Sequence, residues 1–171
     1  MSVKGQLSAE EFAAQAHGDQ RYGTHLPYHH HLASVVATLH RFGHDDPELV
    51  DAAWLHDTIE DTSVTSEDIA ERFGVRVAEL VWAVTNEDGA NRGERHQKTY
   101  PKIAAQGTDA ITLKLADRIA NTEAARDQRR SLLGMYVKEH PAFRTALRPA
   151  GGDPVMWDHL DALIAAQPST A

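Results

Sequence analysis

The chain has 171 residues, of which 42% are apolar and 25% charged, with a formal net charge of -8. That length predicts one domain around a single sizeable core, and the acidic balance argues against nucleic acid as a partner while leaving room for a small phosphorylated ligand. Cysteine is absent, which excludes disulfides and thiolate chemistry. No apolar run approaches the roughly 20 residues of a membrane span, so no membrane partner is expected.

The N-terminal "MSVKGQLSAEEFAAQ" has no apolar centre like that of a signal peptide, and the expected compartment is cytoplasmic. Ser8 with Glu11 predicts a capping box, followed by the apolar stripe Phe12, Ala13 and Ala16. "QRYGTHLPY" reads as a loop, broken by Gly23 and Pro27. From about His30 to Phe42, Leu32, Val35, Val36 and Leu39 recur at helical spacing until Gly43. Asp46 caps the next helix, with Pro47 at its first position, and its apolar face continues into "WLHDTIEDT". Thr65 or Ser66 caps a short helix ending at Phe73-Gly74, and Val75 to Val84 forms another. "TNEDGANRG" reads as a polar loop. Helices follow from Glu94 to Ala105, from Thr108 to Arg126, around Leu132 to His140 and, after the break at "RPAGGDP", from Val155 to Ala166. No strand and no internal repeat is predicted. The expected class is all-α, one compact multi-helix domain over residues 1–171.

Two stretches carry the chemistry. "WLHDTIEDT" crowds His56, Asp57, Glu60 and Asp61 among Trp54, Leu55 and Ile59. On one continuous helix, His56 pairs in space with Glu60 and Asp57 with Asp61. Asp117 sits in "LKLADRIAN" among Leu113, Leu115, Ala116 and Ile119. A carboxylate among aliphatic residues needs a partner, and an ion pair to Lys114 or Arg118 is one candidate. His31 opens an apolar-periodic helix, an awkward place for an unemployed imidazole. One divalent cation held by His31, His56, Asp57 and Asp117 satisfies all four, a donor set suited to Mn, Fe, Ni or Zn. In "RGERHQKTYPK", Arg95, Lys98 and Lys102 share one helical face, with Arg92 just upstream, a local positive patch suited to phosphate or to nearby glutamates.

His31, His56-Asp57 and Asp117 in this order resemble the H…HD…D signature of the HD superfamily of metal-dependent phosphohydrolases. Within it, "GDQRYGTHLPYHHHL", "HDTIEDT" and "LKLADRIAN" are similar to the arginine-loop-PYxxH, HDxxED and KLADRxxN motifs of the (p)ppGpp hydrolase domains of RelA/SpoT homologues, including the small stand-alone hydrolases. The likeness runs from about Glu11 to Arg126, with helices 127–166 expected to pack on that core. It implies one Mn²⁺ on His31, His56, Asp57 and Asp117, a metal-bound water attacking the 3′ diphosphate, and release of pyrophosphate. It implies Glu60 and Asp61 as the catalytic acidic pair, Glu60 nearest the water. Arg21 matches the loop arginine against the nucleobase and Asn121 the nucleoside contact. Tyr22, Lys114, Arg95, Lys98 and Lys102 complete the expected substrate contacts. Tyr22 replaces a frequent second basic residue, and Leu32 a usual proline. Alternatives are a phosphatase acting on NADPH or another nucleotide, and a nucleotide-binding module without turnover.

Overall fold

The structure is a computed structural model that describes residues 6–166; the signal-peptide reading falls partly on residues 1–5, outside that range. Among the described residues the chain forms ten α-helices, a 3₁₀ turn and a hairpin of two two-residue strands, an all-α fold. No described helix is long and apolar enough to cross a membrane.

Local chemistry sets most of the elements. Ser8 and Glu11 form the capping box of α1 (Ala9–His17). Helix α2 is Tyr28–Arg41. The Asp46 carboxylate accepts from the Glu48 amide at the start of α3 (Pro47–Leu55). Thr65 and Asp68 make a second capping box at α5 (Ser66–Phe73), which Gly74 separates from α6 (Val75–Val84). Asn91 caps α7 (Arg92–Gln106), and Gly107 divides it from α8 (Thr108–Gln128).

Three expectations are corrected. The segment read as a loop pairs β1 (Arg21–Tyr22) antiparallel with β2 (Leu26–Pro27). The helix expected to continue through the HD stretch stops at Leu55: Asp57 takes φ -102°, ψ -1°, and a single turn, α4 (Thr58–Asp61), restarts beyond it. His56 and Asp57 thus stand at a helix break; the Asp61 amide still bonds the Asp57 carbonyl at 3.0 Å, so only Asp57 and Asp61 share a helical turn. The helix expected to end at His140 runs on as α9 (Arg130–Leu147), through Pro141. A proline inside a helix removes one hydrogen bond, but Phe143 and Leu147 beyond it are fully buried and hold the last turns on the core.

Helix α8 is the axis of the molecule. Ile111, Leu113, Leu115, Ala116 and Ile119 are all fully buried, so it is apolar around most of its circumference. It packs against α2, α3, α6, α7, α9 and α10 (Pro154–Ala165). The last two helices add Phe143, Leu147, Met156, Trp157 and Leu160 to the same buried cluster. The turn into α10 needs Gly152: its φ is +87°, and a Cβ there would lie 2.6 Å from Ile111. Because α8 is enclosed, the one carboxylate near its middle, Asp117, is enclosed with it.

Candidate metal centre

Four side chains from three parts of the chain converge. His31 comes from α2, His56 and Asp57 from the break after α3, and Asp117 from α8. His31 Nε2 lies 3.3 Å from Asp117 Oδ1 and 3.6 Å from Asp57 Oδ2; His56 Nε2 lies 3.1 Å from Asp57 Oδ2 and 3.6 Å from Asp117 Oδ1. One ligand atom each from His31, His56 and Asp117 fall within 4.8 Å of one another.

These residues fit a cation. The Ala53 carbonyl lies 2.8 Å from His56 Nδ1 and can only accept, so Nδ1 carries a proton. His56 Nε2, fully buried, is left without a hydrogen-bond partner, facing two carboxylate oxygens. Burial disfavours charge on His56, but Asp57 and Asp117 outweigh it and push the imidazole well above its usual range. Burial likewise opposes ionisation of Asp57 and Asp117, yet His56 and His31 beside Asp57, and Lys114 with the two imidazoles beside Asp117, hold both carboxyls well below the ordinary range. Two ionised carboxylates on one buried point require positive charge between them, and an N₂O₂ donor set suits a divalent transition metal.

A ring of partners orients these groups, as hydrogen-bonded neighbours commonly do around metal ligands. The Tyr28 hydroxyl donates to Asp57 Oδ2 at 2.5 Å; burial and the Asp57 charge hold its proton on. Lys114 Nζ donates to Asp117 Oδ2 at 2.8 Å, and Asn121 Nδ2 to Asp117 Oδ1 at 2.7 Å. Tyr22 stacks on His31, with centroids 4.8 Å apart, and donates to Asn121 Oδ1 at 2.8 Å. Burial pushes the Tyr22 hydroxyl up to about 12, so it too remains a donor at neutral pH.

His31, Asp57 and Asp117 line a cleft, with His56 buried against them. The carboxylates Glu60 and Asp61, the cations Arg92, Lys114 and Arg118, and Tyr22, Asn121 and Tyr136 line it as well. Glu60 is exposed and accepts from the Asn86 backbone N–H and side-chain amide at 3.1–3.2 Å; Asp61 accepts from Gln20 at 2.9 Å. Of the substrate contacts expected from sequence, Tyr22, Lys114 and Asn121 reach the cleft. Arg21 is exposed on β1, outside the lining. Arg95, Lys98 and Lys102 also lie outside it. Lys98 pairs with Glu94, and Lys102 donates to Glu87 and the Thr85 carbonyl beneath the Trp82 ring. Lys114, one of the two partners expected for Asp117, is the one found; Arg118 pairs with Glu139 instead. Sequence reasoning missed Tyr28, Asn86, Tyr136 and Glu139. Tyr28 had a signal, the tyrosine of the PYxxH motif. Glu139 had none, since its partners are 21 and 47 residues away.

An all-α fold that buries a His/Asp cluster able to hold a metal ion, at a cleft lined by both carboxylates and basic side chains, defines the class. A family model described as "HD domain" matches residues 9–135, and the chain belongs to the HD domain family. It is 38% identical over 137 residues to a guanosine-3′,5′-bis(diphosphate) 3′-pyrophosphohydrolase of Aquifex aeolicus (strain VF5), covering 77% of this chain and 20% of that protein. It is 36% identical over 120 residues to the guanosine-3′,5′-bis(diphosphate) 3′-pyrophosphohydrolase MESH1 of Danio rerio, covering 67% of this chain and 66% of that one. The match thus spans a fifth to just under two thirds of these relatives' own length. A solved structure described as a metazoan ortholog of SpoT that hydrolyses ppGpp superposes with a TM-score of 0.77 at 26% identity, covering 92% of both chains.

Proposed function

We propose that the chain is a metal-dependent nucleotide pyrophosphohydrolase that removes the 3′ diphosphate of guanosine 3′,5′-bis(diphosphate). One observation carries the reading: His31, Asp57 and Asp117, with buried His56 against them, share one cleft with the carboxylates Glu60 and Asp61 and with Arg92, Lys114 and Arg118. Relatives at 36–38% identity bear the name of that activity. In this reading residues 127–166 complete a single domain built on 11–126, and the enzyme works in the cytoplasm, where no membrane or nucleic-acid partner is required.

His31, His56, Asp57 and Asp117 would hold the cation, for which Mn²⁺ is proposed. When bound it supplies Lewis acidity, lowering the pKa of water and offsetting phosphate charge. Glu60, held by Asn86, accepts the proton of the attacking water, and Asp61, held by Gln20, supports it electrostatically. Lys114 and Arg92 bind phosphate oxygens, and Asn121, fixed by Tyr22, contacts the nucleoside. The cleft measures about 170 Å³, below the roughly 300–1,000 Å³ of pockets that enclose a whole ligand. The reacting phosphates fit inside it, with the nucleoside lying across the mouth near Tyr22 and Arg21.

The test is a product assay with Mn²⁺ across ppGpp, NADPH and common nucleoside phosphates. Pyrophosphate release from ppGpp is expected. Orthophosphate release from NADPH alone moves the reading to a nucleotide phosphatase, and no release from any of them moves it to a binding module.

A further inference from the structure

Two of the cations that line the cleft, Arg92 and Arg118, share a carboxylate that does not line it. Glu139 of α9 faces an adjoining cavity of about 530 Å³ between α7 and α9, which shares His96 with the cleft. Its Oε2 accepts from Arg118 Nη1 at 2.7 Å and from Arg92 Nη2 at 3.3 Å, and its Oε1 accepts from Arg92 Nε at 2.5 Å. The two arginines differ in kind. Arg118 is buried and its guanidinium lies 5.0 Å from the Tyr136 ring centre and 4.8 Å from that of Phe143, so it is fixed. Arg92 begins α7 at the rim, with its side chain 41% exposed.

We propose that Glu139 is a positioning residue for substrate phosphate: anchored on buried Arg118, it holds Arg92 by Nε and Nη2 and leaves Nη1 for the cleft. The inference deepens the phosphohydrolase reading and rests on it. A flexible arginine loses rotamer freedom when it grips a phosphate, and a guanidinium ordered beforehand loses less. Charge points the same way. Lys114 is balanced by Asp117, whereas two guanidiniums share Glu139, which leaves that corner net positive. An anion entering the cleft then meets an oriented, partly uncompensated cation in the same lining as Asp57 and Asp117.

The experiment compares wild type, Glu139→Gln, Arg92→Ala and the double variant, all metal-loaded. KM and kcat are read on ppGpp, and Kd for inorganic pyrophosphate by calorimetry, which needs no turnover. Glu139→Gln is expected to raise KM and the pyrophosphate Kd about tenfold, the scale of one charge-assisted contact, with kcat within about threefold. In the Arg92→Ala background the same change is expected to shift KM less than about twofold, because the two act as one unit. A folded Glu139→Gln with unchanged KM and Kd, whatever its melting temperature, overturns the inference, as does a full tenfold effect without Arg92. If Glu139→Gln does not fold, Glu139→Asp keeps the charge on Arg118 with a shorter reach; it is expected to raise Kd about threefold, and no rise overturns the inference. A wild type that binds pyrophosphate but hydrolyses no nucleotide ends the proposed function alone; one that binds no pyrophosphate ends this inference as well.

Discussion

Replacing Asp117 by asparagine separates the structural role of the buried cluster from its metal role. The substitution preserves shape and removes one charge. In the native site Asp117 accepts from Lys114 and Asn121 and lies 3.3 Å from His31, with its side chain 12% exposed and that of Lys114 13%. An asparagine amide in its place turns a donor toward one of two groups that are themselves donors. It also leaves a buried ammonium without its counter-charge; burial alone would depress the Lys114 pKa, and Asp117 is what holds it above the usual range. Breaking one side of a buried pair costs ~3–5 kcal/mol. We take about 3 kcal/mol, since Lys114 can shed its proton instead. For a chain of this size that is roughly 6–12 °C in melting temperature. Thermal unfolding is measured first in chelator and then with Mn²⁺. Wild type should gain about 2.7 kcal/mol at a metal concentration near 100 Kd, and Asp117→Asn nothing. A variant that melts within about 2 °C of wild type in chelator and still gains the full metal stabilisation would refute both parts of the argument.

Glu60→Gln should retain metal, by elemental analysis, while kcat falls by about 10²–10⁴, the usual contribution of a positioned base; wild-type turnover removes Glu60 from proton transfer. The pH dependence of stability should show His96. Burial pulls this imidazole down to about 4; nearby Glu139 opposes the shift, while Arg92, Arg118 and Lys114 add to it. Between about pH 6.5 and pH 4 the unfolded chain therefore binds a proton that the native state refuses, and stability falls as pH falls through that window, by at most about 3 kcal/mol. Urea unfolding of His96→Asn across the window should give a flatter profile than wild type, and parallel profiles would show that His96 does not titrate as its burial requires.

Much of the framework is written locally, because helix caps and stops act over three or four residues. The Ser8–Glu11 box, Asp46 before Pro47, Gly74 and Gly107 all work within one turn and stand where the sequence puts them. His31, His56, Asp57 and Asp117 were legible for a related reason: each sits among apolar residues that force it inward, where an ionisable group needs a partner. The tertiary structure decided what no local rule contains. It broke the helix between Leu55 and Thr58, so that His56 and Asp57 both turn onto α2 and α8. It carried α9 past Pro141, because Phe143 and Leu147 bury fully beyond it. It turned Lys98 and Lys102 to Glu94 and Glu87, away from the cleft, and brought Glu139 to Arg92 and Arg118. Charges pair with whatever opposite charge the packing of helices brings within a few ångströms. That packing is set by the apolar faces, so the partners of Arg92 and Arg118 became known only once α7, α8 and α9 were in place.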